Sequence, residues 1–314
     1  MSTTSNRVLV LFGPTAVGKT ATVERLASDD RLPLKPVVVV SADSVQVYRG
    51  LDIGSAKPGA DERARIGHEL VDVLDPSQPF SVGEFVRLAD EACERACGRG
   101  ALPVLSGGTA YYVKAFLYGP PPAPPSDPVI REAIQAELAQ RGPDAIRREL
   151  TEIDPASAAR IKPADLYRAT RAIEVYRCSG RPLSSFSLPT EPRPRWNTVV
   201  IGLDRPRAEL YARIDARVDA MMAAGLPAEV ESLVRSGFGP GDPGMKAIGY
   251  AEFLQADGGD AGGGNLASVT EAIKLHTRRY AKRQLTFMRS IAGVRWFGAD
   301  DYEGVLSAVI SWLA

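Results

Sequence analysis

The sequence predicts an α/β chain: a parallel β-sheet flanked by helices and interrupted by an all-helical insertion. Three observations predict it. Apolar, β-branched runs alternate with helical ones along most of the chain, which is the pattern of βα units. The first such run leads directly into a glycine loop and a helix. Two proline-rich crossings bracket a stretch that has helical periodicity and no strand pattern. At 314 residues the chain is long enough to bury a sizeable core in one or two domains.

The first element is "RVLVLF", residues 7–12, an apolar run that reads as a buried strand. "GPTAVGKT", residues 13–20, follows it and fits G-x-x-x-x-G-K-[ST], with the helical "ATVERLA" behind. Strand, loop and helix together make the predicted sheet P-loop NTPase-like. Gly13 and Gly18 permit the tight turn. The loop Gly13, Pro14, Thr15, Ala16, Val17, Gly18, Lys19 and Thr20 then aims backbone N–H groups and a helix N-terminus at an anion. Lys19 adds a full charge, and the Thr20 hydroxyl is a ligand for Mg²⁺. The motif establishes a phosphate site without saying which phosphate compound fills it.

"PVVVVSAD" is the second strand, and it delivers Asp43 to the edge where ligands of parallel sheets sit. An acid there holds metal-bound water or substrate in small-molecule kinases, acts as a general base in other enzymes, or caps a helix. Behind it, Gln46 and Tyr48 are placed to read a planar ring and Lys57 to add charge. "HELVDVLD" reads as a third strand. "ALPVLSGG", a fourth, ends in Ser106-Gly107-Gly108-Thr109. P-loop hydrolases usually end such a strand in an acid that holds Mg²⁺. A neutral hydroxyl here weakens an ATPase reading without excluding it, because Asp43 can take the metal role. "NTVVIGLD" is the fifth strand.

The proline-rich crossings are "GPPPAPPSDP" (119–128) and "LPTEPRPRW" (188–196). They divide the chain into a core of residues 1–119 and 196–314 and an insertion of residues 120–195. The insertion reads as helices in "VIREAIQAELAQRG", "DAIRRELTEID" and "ADLYRATRAIEVYRCSG". In the last of these, Leu166, Ala169, Ile173 and Tyr176 share an apolar face, with Arg168 and Arg171 roughly opposite. "DGGDAGGG", residues 257–264, reads as a surface loop. A long helix follows, from about Ser268 to Ile291. Its stripe is Ile273, Thr277, Tyr280, Gln284, Phe287 and Ile291, with Arg278, Arg279, Lys282 and Arg289 on the other side.

The 38 basic residues balance 38 acidic ones, so the whole molecule is no polycation, and a nucleic-acid partner needs a local basic surface. Two such surfaces exist. Residues 160–181 hold six basic side chains against two acidic, and residues 271–289 hold six against one. Beside a phosphate loop, two clusters point to a polyanion larger than a nucleotide. The three cysteines, an odd count without a signal peptide, predict reduced thiols and a cytoplasmic protein. Cys93 and Cys97 stand four apart on a helical run, and only two histidines exist, which argues against a zinc site. No apolar run reaches membrane-spanning length, and "MSTTSNR" has no hydrophobic signal core.

Taken together these segments resemble the tRNA dimethylallyltransferase (IPP transferase) family. The resemblance rests on "GPTAVGKT", "SADSVQVYRGLDIGSAKP", "HELVDVLDP", "FSVGEF", "LSGGT", "IDPASAARI", "RAIEVY", "SGRPLS", "KAIGY" and "AKRQLTFMR". They stand in family order from residue 13 to about residue 290, nearly the whole chain. It implies that the phosphate loop holds the diphosphate of dimethylallyl diphosphate. The five-carbon group then moves to the exocyclic N6 amine of the adenine 3′-adjacent to the tRNA anticodon (position 37), and diphosphate leaves. ATP is not the energy source, and Mg²⁺ at Thr20 is the cofactor. Asp43, Thr109 and Arg217 are the implied catalytic residues: Asp43 accepts the amine proton, Thr109 lies near the reacting groups, and Arg217, in "RIDARVDAMMAAG", meets the diphosphate.

The implied tRNA contacts are Asp43, Ser44, Val45, Gln46, Thr109, Arg131, Tyr167, Arg168, Ala169, Thr170, Arg171, Lys282 and Arg283, with the insertion gripping the anticodon stem-loop. No membrane and no obligate protein partner is implied, and a monomer is expected. The chain departs from the family pattern at Val45 (commonly arginine), at Ala110-Tyr111 (frequently Gly-Leu), at "KPAD" (commonly "HPND") and at Tyr167 (usually glutamine). These departures bear on tRNA contact, not on the phosphate or base chemistry. Three other readings stand beside this one: a small-molecule P-loop kinase, an isopentenyltransferase of free adenine nucleotide, and an RNA-binding protein with a vestigial phosphate loop. The basic insertion disfavours the first two. The complete loop and Asp43 disfavour the third.

Overall fold

The computed structural model describes residues 6–187, 189–256 and 265–314, so the predicted loop at 257–264 lies outside the described residues. The chain divides into two compact units, Met1–Leu117 with Arg193–Ala314, and Tyr118–Pro192. The first half of the larger unit runs β1 (Arg7–Phe12), α1 (Lys19–Ser28), β2 (Val37–Ser41), α2 (Ala60–Arg65), β3 (Gly67–Glu69), α3 (Val82–Gly98), β4 (Leu102–Gly107) and α4 (Ala110–Tyr118). The smaller unit holds α5 (Pro128–Ile153), α6 (Pro155–Arg160) and α7 (Leu166–Ser179). The larger unit then resumes with β5 (Asn197–Asp204), α8 (Arg207–Ala223), α9 (Leu226–Arg235), α10 (Ala251–Ala256), α11 (Leu266–Met288), β6 (Arg295–Gly298) and α12 (Tyr302–Leu313).

The six strands form one parallel sheet in the order β3-β2-β4-β1-β5-β6. Residues of β1, β2 and β4 are buried almost without interruption, as a parallel sheet covered on both faces requires. On one face Leu9, Leu11 and Val104 pack with Leu26 of α1, Ile214 of α8 and Val309 of α12. On the other, Val38 of β2 meets Ala96 of α3. Truncating the fully buried Leu11 to alanine is expected to cost about 2–5 kcal/mol.

Two strand expectations change. "HELVDVLD" yields only the three-residue β3, because Leu70 and Asp72 take left-handed backbone (φ 64° and 58°) and interrupt the extended run. Farther on, Leu74 forms an isolated parallel bridge with Tyr48, outside the strands of the sheet. β6 was not expected at all: "RWFG" is short and only half-buried, so no apolar alternation announces it.

In the smaller unit, α5 bends at Gly142 (φ 77°), just before Pro143. Ile134, Ile146 and Leu150 of α5 pack with Ala169, Ala172 and Ile173 of α7. Asp154 in "IDPASAARI" is a buried cap: one oxygen accepts from the Ser157 N–H at 2.9 Å and the other from the Ser184 N–H at 2.9 Å.

Within the larger unit, the point where the chain leaves for the insertion and the point where it returns are tied together. The Arg193 N–H donates to Leu117 O (2.8 Å), and its Nε donates to Phe116 O (2.8 Å). The same guanidinium makes two bonds, of 2.8 and 2.9 Å, to the buried Asp90 carboxylate on α3, which also accepts from Trp196 Nε1 at 2.7 Å. Among the described residues no helix is long and apolar enough to cross a membrane.

Candidate active site

The carboxyl ends of β1, β2 and β4 open onto one cavity of about 860 Å³. The glycine loop forms one wall. Gly18 begins α1 at φ 124°, a conformation that side-chain-bearing residues rarely adopt. Lys19 Nζ reaches back over the loop to Gly13 O and Pro14 O, both at 3.0 Å. Burial, and after it the nearby Arg217 charge, bring the Lys19 ammonium down to about 8, with Asp43 pulling the other way. Thr20 is exposed at the start of α1. The loop is braced from outside: Arg213 Nε donates to Ala16 O (2.9 Å) and Arg205 Nε to Val17 O (3.2 Å). Ion pairs to Asp300 and Glu209 hold Arg205 in turn.

Asp43 follows β2, and one of its oxygens plays the capping role. Oδ1 accepts from the N–H groups of Val45 (2.9 Å) and Gln46 (3.3 Å). Oδ2 has no hydrogen-bond partner among the described residues, so one carboxylate both fixes its own turn and keeps an acceptor for something else. Thr109, beyond β4, locks onto that turn. Its Oγ1 accepts from Ser44 N–H (3.0 Å) and donates to Ser44 Oγ (3.3 Å), and its N–H donates to Ala42 O (3.1 Å). This crossing depends on Gly107, where a Cβ would lie 2.1 Å from Ala42 O.

Arg217 of α8 lines the same cavity and has no hydrogen bond or ion pair among the described residues. Burial works against its charge and Asp43 supports it. The wall is completed by two α11 residues that the sequence reading left in an apolar stripe. The Tyr280 phenol lies beside Thr109 and Gln284, and burial first, then the Asp43 charge, raise its pKa. Gln284 is buried, its carboxamide between the two loops. A polar side chain recurring inside an apolar stripe was the available signal.

Behind Asp43 the expectations for Tyr48 and Lys57 are corrected, while Gln46 lines the cavity. The Gln46 amide is used internally: Oε1 accepts from Ser41 Oγ (3.0 Å) and Nε2 donates to Ala56 O (3.2 Å). Tyr48 is buried in a cluster with Val47, Leu51 and Tyr250 and reads no ring. Lys57, 2% exposed, is held by Asp52 (2.5 Å) and Asp72 (2.6 Å), so its charge is spent on the fold. Ser44 and Val45 are half-buried in the cavity wall. Among the described residues no three His, Cys, Asp or Glu side chains cluster to hold a metal. A cation here depends on the Thr20 hydroxyl and on substrate oxygens, which suits Mg²⁺ and not zinc. Burial raises the Cys93 and Cys97 thiols, so neither is reactive.

In the smaller unit, Arg131 lies over the Tyr167 ring (6.0 Å), and Tyr167 is 70% exposed. Arg168 is exposed and pairs with Asp165 at 3.1 Å. Arg171 instead turns inward, to Glu174 at 2.8 Å and to Pro124 O. Ala169 and Thr170 are buried, so their side chains pack the unit and do not present a contact surface. On α11, Lys282 and Arg283 are exposed, Arg283 lying over the Tyr280 ring at 5.8 Å.

The family described as IPP transferase matches residues 46–291, and one described as isopentenyl transferase matches residues 6–69. The chain is 42% identical over 313 residues to tRNA dimethylallyltransferase 1 of Trichlorobacter lovleyi, covering 98% of this chain and 99% of that one. It is 41% identical over 292 residues to the tRNA dimethylallyltransferase of Thermomicrobium roseum, covering 92% and 85%. Among solved structures, a full-length tRNA isopentenylpyrophosphate transferase of Bacillus halodurans matches with a TM-score of 0.68 at 36% identity, covering 98% and 96%. A eukaryotic dimethylallyltransferase acting on tRNA matches with a TM-score of 0.76 at 26% identity, covering 95% and 75%.

Proposed function

The chain belongs to the IPP transferase family, the tRNA dimethylallyltransferases that modify adenine 37, and we propose that it runs this transfer in the cavity shared by Lys19, Asp43 and Arg217. The observation that carries this reading is the charge arrangement. Two cations without carboxylate partners and one carboxylate oxygen without a donor open into the same space.

The donor is dimethylallyl diphosphate. Its C1–O bond breaks with the electron pair leaving on the diphosphate, C1 bonds to N6 of the adenine, and N6 gives up one proton. The amine is a poor nucleophile because its lone pair is delocalised into the ring, so a proton acceptor at N6 matters. Asp43 Oδ2 takes that proton. Lys19, Arg217 and the N–H groups of residues 13–20 gather the charge that grows on the leaving diphosphate. Mg²⁺ would be held by the Thr20 hydroxyl and the diphosphate's own oxygens, and would supply further neutralisation there. Thr109 keeps the Asp43 turn in place. The adenine must swing out of the anticodon loop to reach these groups.

The insertion, residues 120–195, grips the anticodon stem-loop through Arg131, Tyr167 and Arg168, while Lys282 and Arg283 contact phosphates from α11. The test is labelled dimethylallyl diphosphate offered with unmodified tRNA and, separately, with AMP and ATP. Label is expected on tRNA alone, and label on a free nucleotide overturns the substrate assignment. Asp43→Ala is expected to slow transfer by about 10²–10⁴-fold while leaving the tRNA Kd nearly unchanged. Near-normal turnover of that variant removes Asp43 from the chemistry.

A further inference from the structure

Gln284 is one of the few polar side chains that the fold buries, at 4% exposure on a helix whose other buried residues include Val269, Ile273, Ala281 and Met288. Burying a carboxamide is costly unless both its ends are bonded. Both are. Its Oε1 accepts from the Thr15 N–H of the glycine loop at 3.0 Å, and its Nε2 donates to Gly108 O beyond β4 at 2.6 Å. Gly108 is shaped for this: a Cβ there would sit 2.6 Å from Gln284 Nε2.

The next residue after Gly108 is Thr109, whose hydroxyl accepts from Ser44 beside Asp43. The bonds thus form one chain: Thr15, Gln284, Gly108, Thr109, Ser44. It runs from the loop that cradles the leaving group to the turn that carries the proton acceptor. No backbone hydrogen bond joins Thr15 to Gly108. The strands beneath them are paired only as far as Phe12 and Gly107. Beyond that register, Gln284 spans the gap.

We propose that Gln284 is a positioning residue that fixes the distance between the diphosphate cradle and the Asp43 turn. The inference rests on Asp43 as the proton acceptor, a point that Asp43→Ala tests by itself. In-line transfer tolerates little misplacement, and an error of about 1 Å costs on the order of 10²-fold in rate.

The experiment is single-turnover transfer by Gln284→Met and Gln284→Glu, each alone and combined with Thr109→Val. Dimethylallyl diphosphate binding counted by calorimetry restricts every rate to folded molecules. Gln284→Met is expected to lower the rate about 100-fold, with KM for tRNA and for the diphosphate within about threefold of the parent. Gln284→Glu keeps the acceptor for Thr15 but cannot donate to Gly108 O, and it is expected to bind the diphosphate while transferring as slowly as the methionine variant. Because both residues act through one chain of bonds, each double variant is expected to be little slower than its slower single parent. Losses that multiply, an unchanged rate, or a loss carried wholly by KM would each overturn the proposal.

Discussion

The stretches around α7 and α11 look alike as sequence: residues 160–181 and 271–289 each hold six basic residues and few acids. As structures they differ. On and around α7, Arg171 is held by Glu174, and Arg177 lies between Glu137 (2.7 Å) and Glu149 (2.6 Å). Arg168 is exposed but already paired with Asp165. On α11, Lys274 and Arg278 are consumed by Asp219 (2.7 Å) and Asp215 (2.6 Å) near its first half. Arg279, Lys282 and Arg283 have no carboxylate partner among the described residues. A count of cations therefore overstates the positive surface left open to a partner. Some of the neutralising carboxylates, Asp165 and Glu174, stand in the same window, but Glu137 and Glu149 of α5 and Asp215 and Asp219 of α8 come from elements that neither window contains.

The sharpest way to break this comparison is Arg171→Ala. It leaves Glu174, whose side chain is 4% exposed, with the Ser126 hydroxyl and the Asp127 N–H but no countercharge, so a stability loss of about 3 kcal/mol is expected in urea unfolding, with the salt slope of tRNA binding unmoved. A slope change as large as that for an α11 lysine would return Arg171 to the RNA surface.

Lys19 extends the comparison to a half-buried cation with no carboxylate partner among the described residues. With its free-enzyme pKa near 8, it must pick up a proton to meet the diphosphate at higher pH. Affinity for dimethylallyl diphosphate without tRNA is expected to fall by up to about tenfold per pH unit above 8. Lys19→Arg, which stays charged, should flatten that fall, and calorimetry from pH 7 to 10 reads both.

The smallest effect sharpens the contrast between helices. Replacing Lys282 and Arg283 with alanine should reduce the slope of log K against log salt by about 0.7–0.9 per residue. Arg168→Ala should reduce it by less, since Asp165 already offsets that charge. Equal slopes for the two helices would mean that internal pairing is irrelevant to RNA contact.

Much of the fold was legible because parallel strands covered on both faces must be continuously apolar, and β1, β2, β4 and β5 are. β3 was overextended because nothing in "LVD" announces left-handed backbone at Leu70 and Asp72. The glycine loop, Thr109 and Asp43 were legible because ligand sites lie where strands end. Gln284 and Tyr280 were not, since a polar residue on an apolar stripe shows its purpose only once the facing loops are known. Lys57 and Tyr48 were misread for the converse reason: their burial is set by Asp52, Asp72 and Tyr250, distant in sequence or hidden in a turn.

The knot of Asp90, Arg193 and Trp196 has one more consequence. Because Leu117 and Arg193 are hydrogen-bonded neighbours, the chain departs and comes back through a single doorway. A short turn in place of residues 118–192 would close the larger unit on itself without stretching a strand. The insertion is thereby separable from the sheet, and an evolving gene can lengthen, reshape or exchange it while the strands that carry the glycine loop and Asp43 stay as they are.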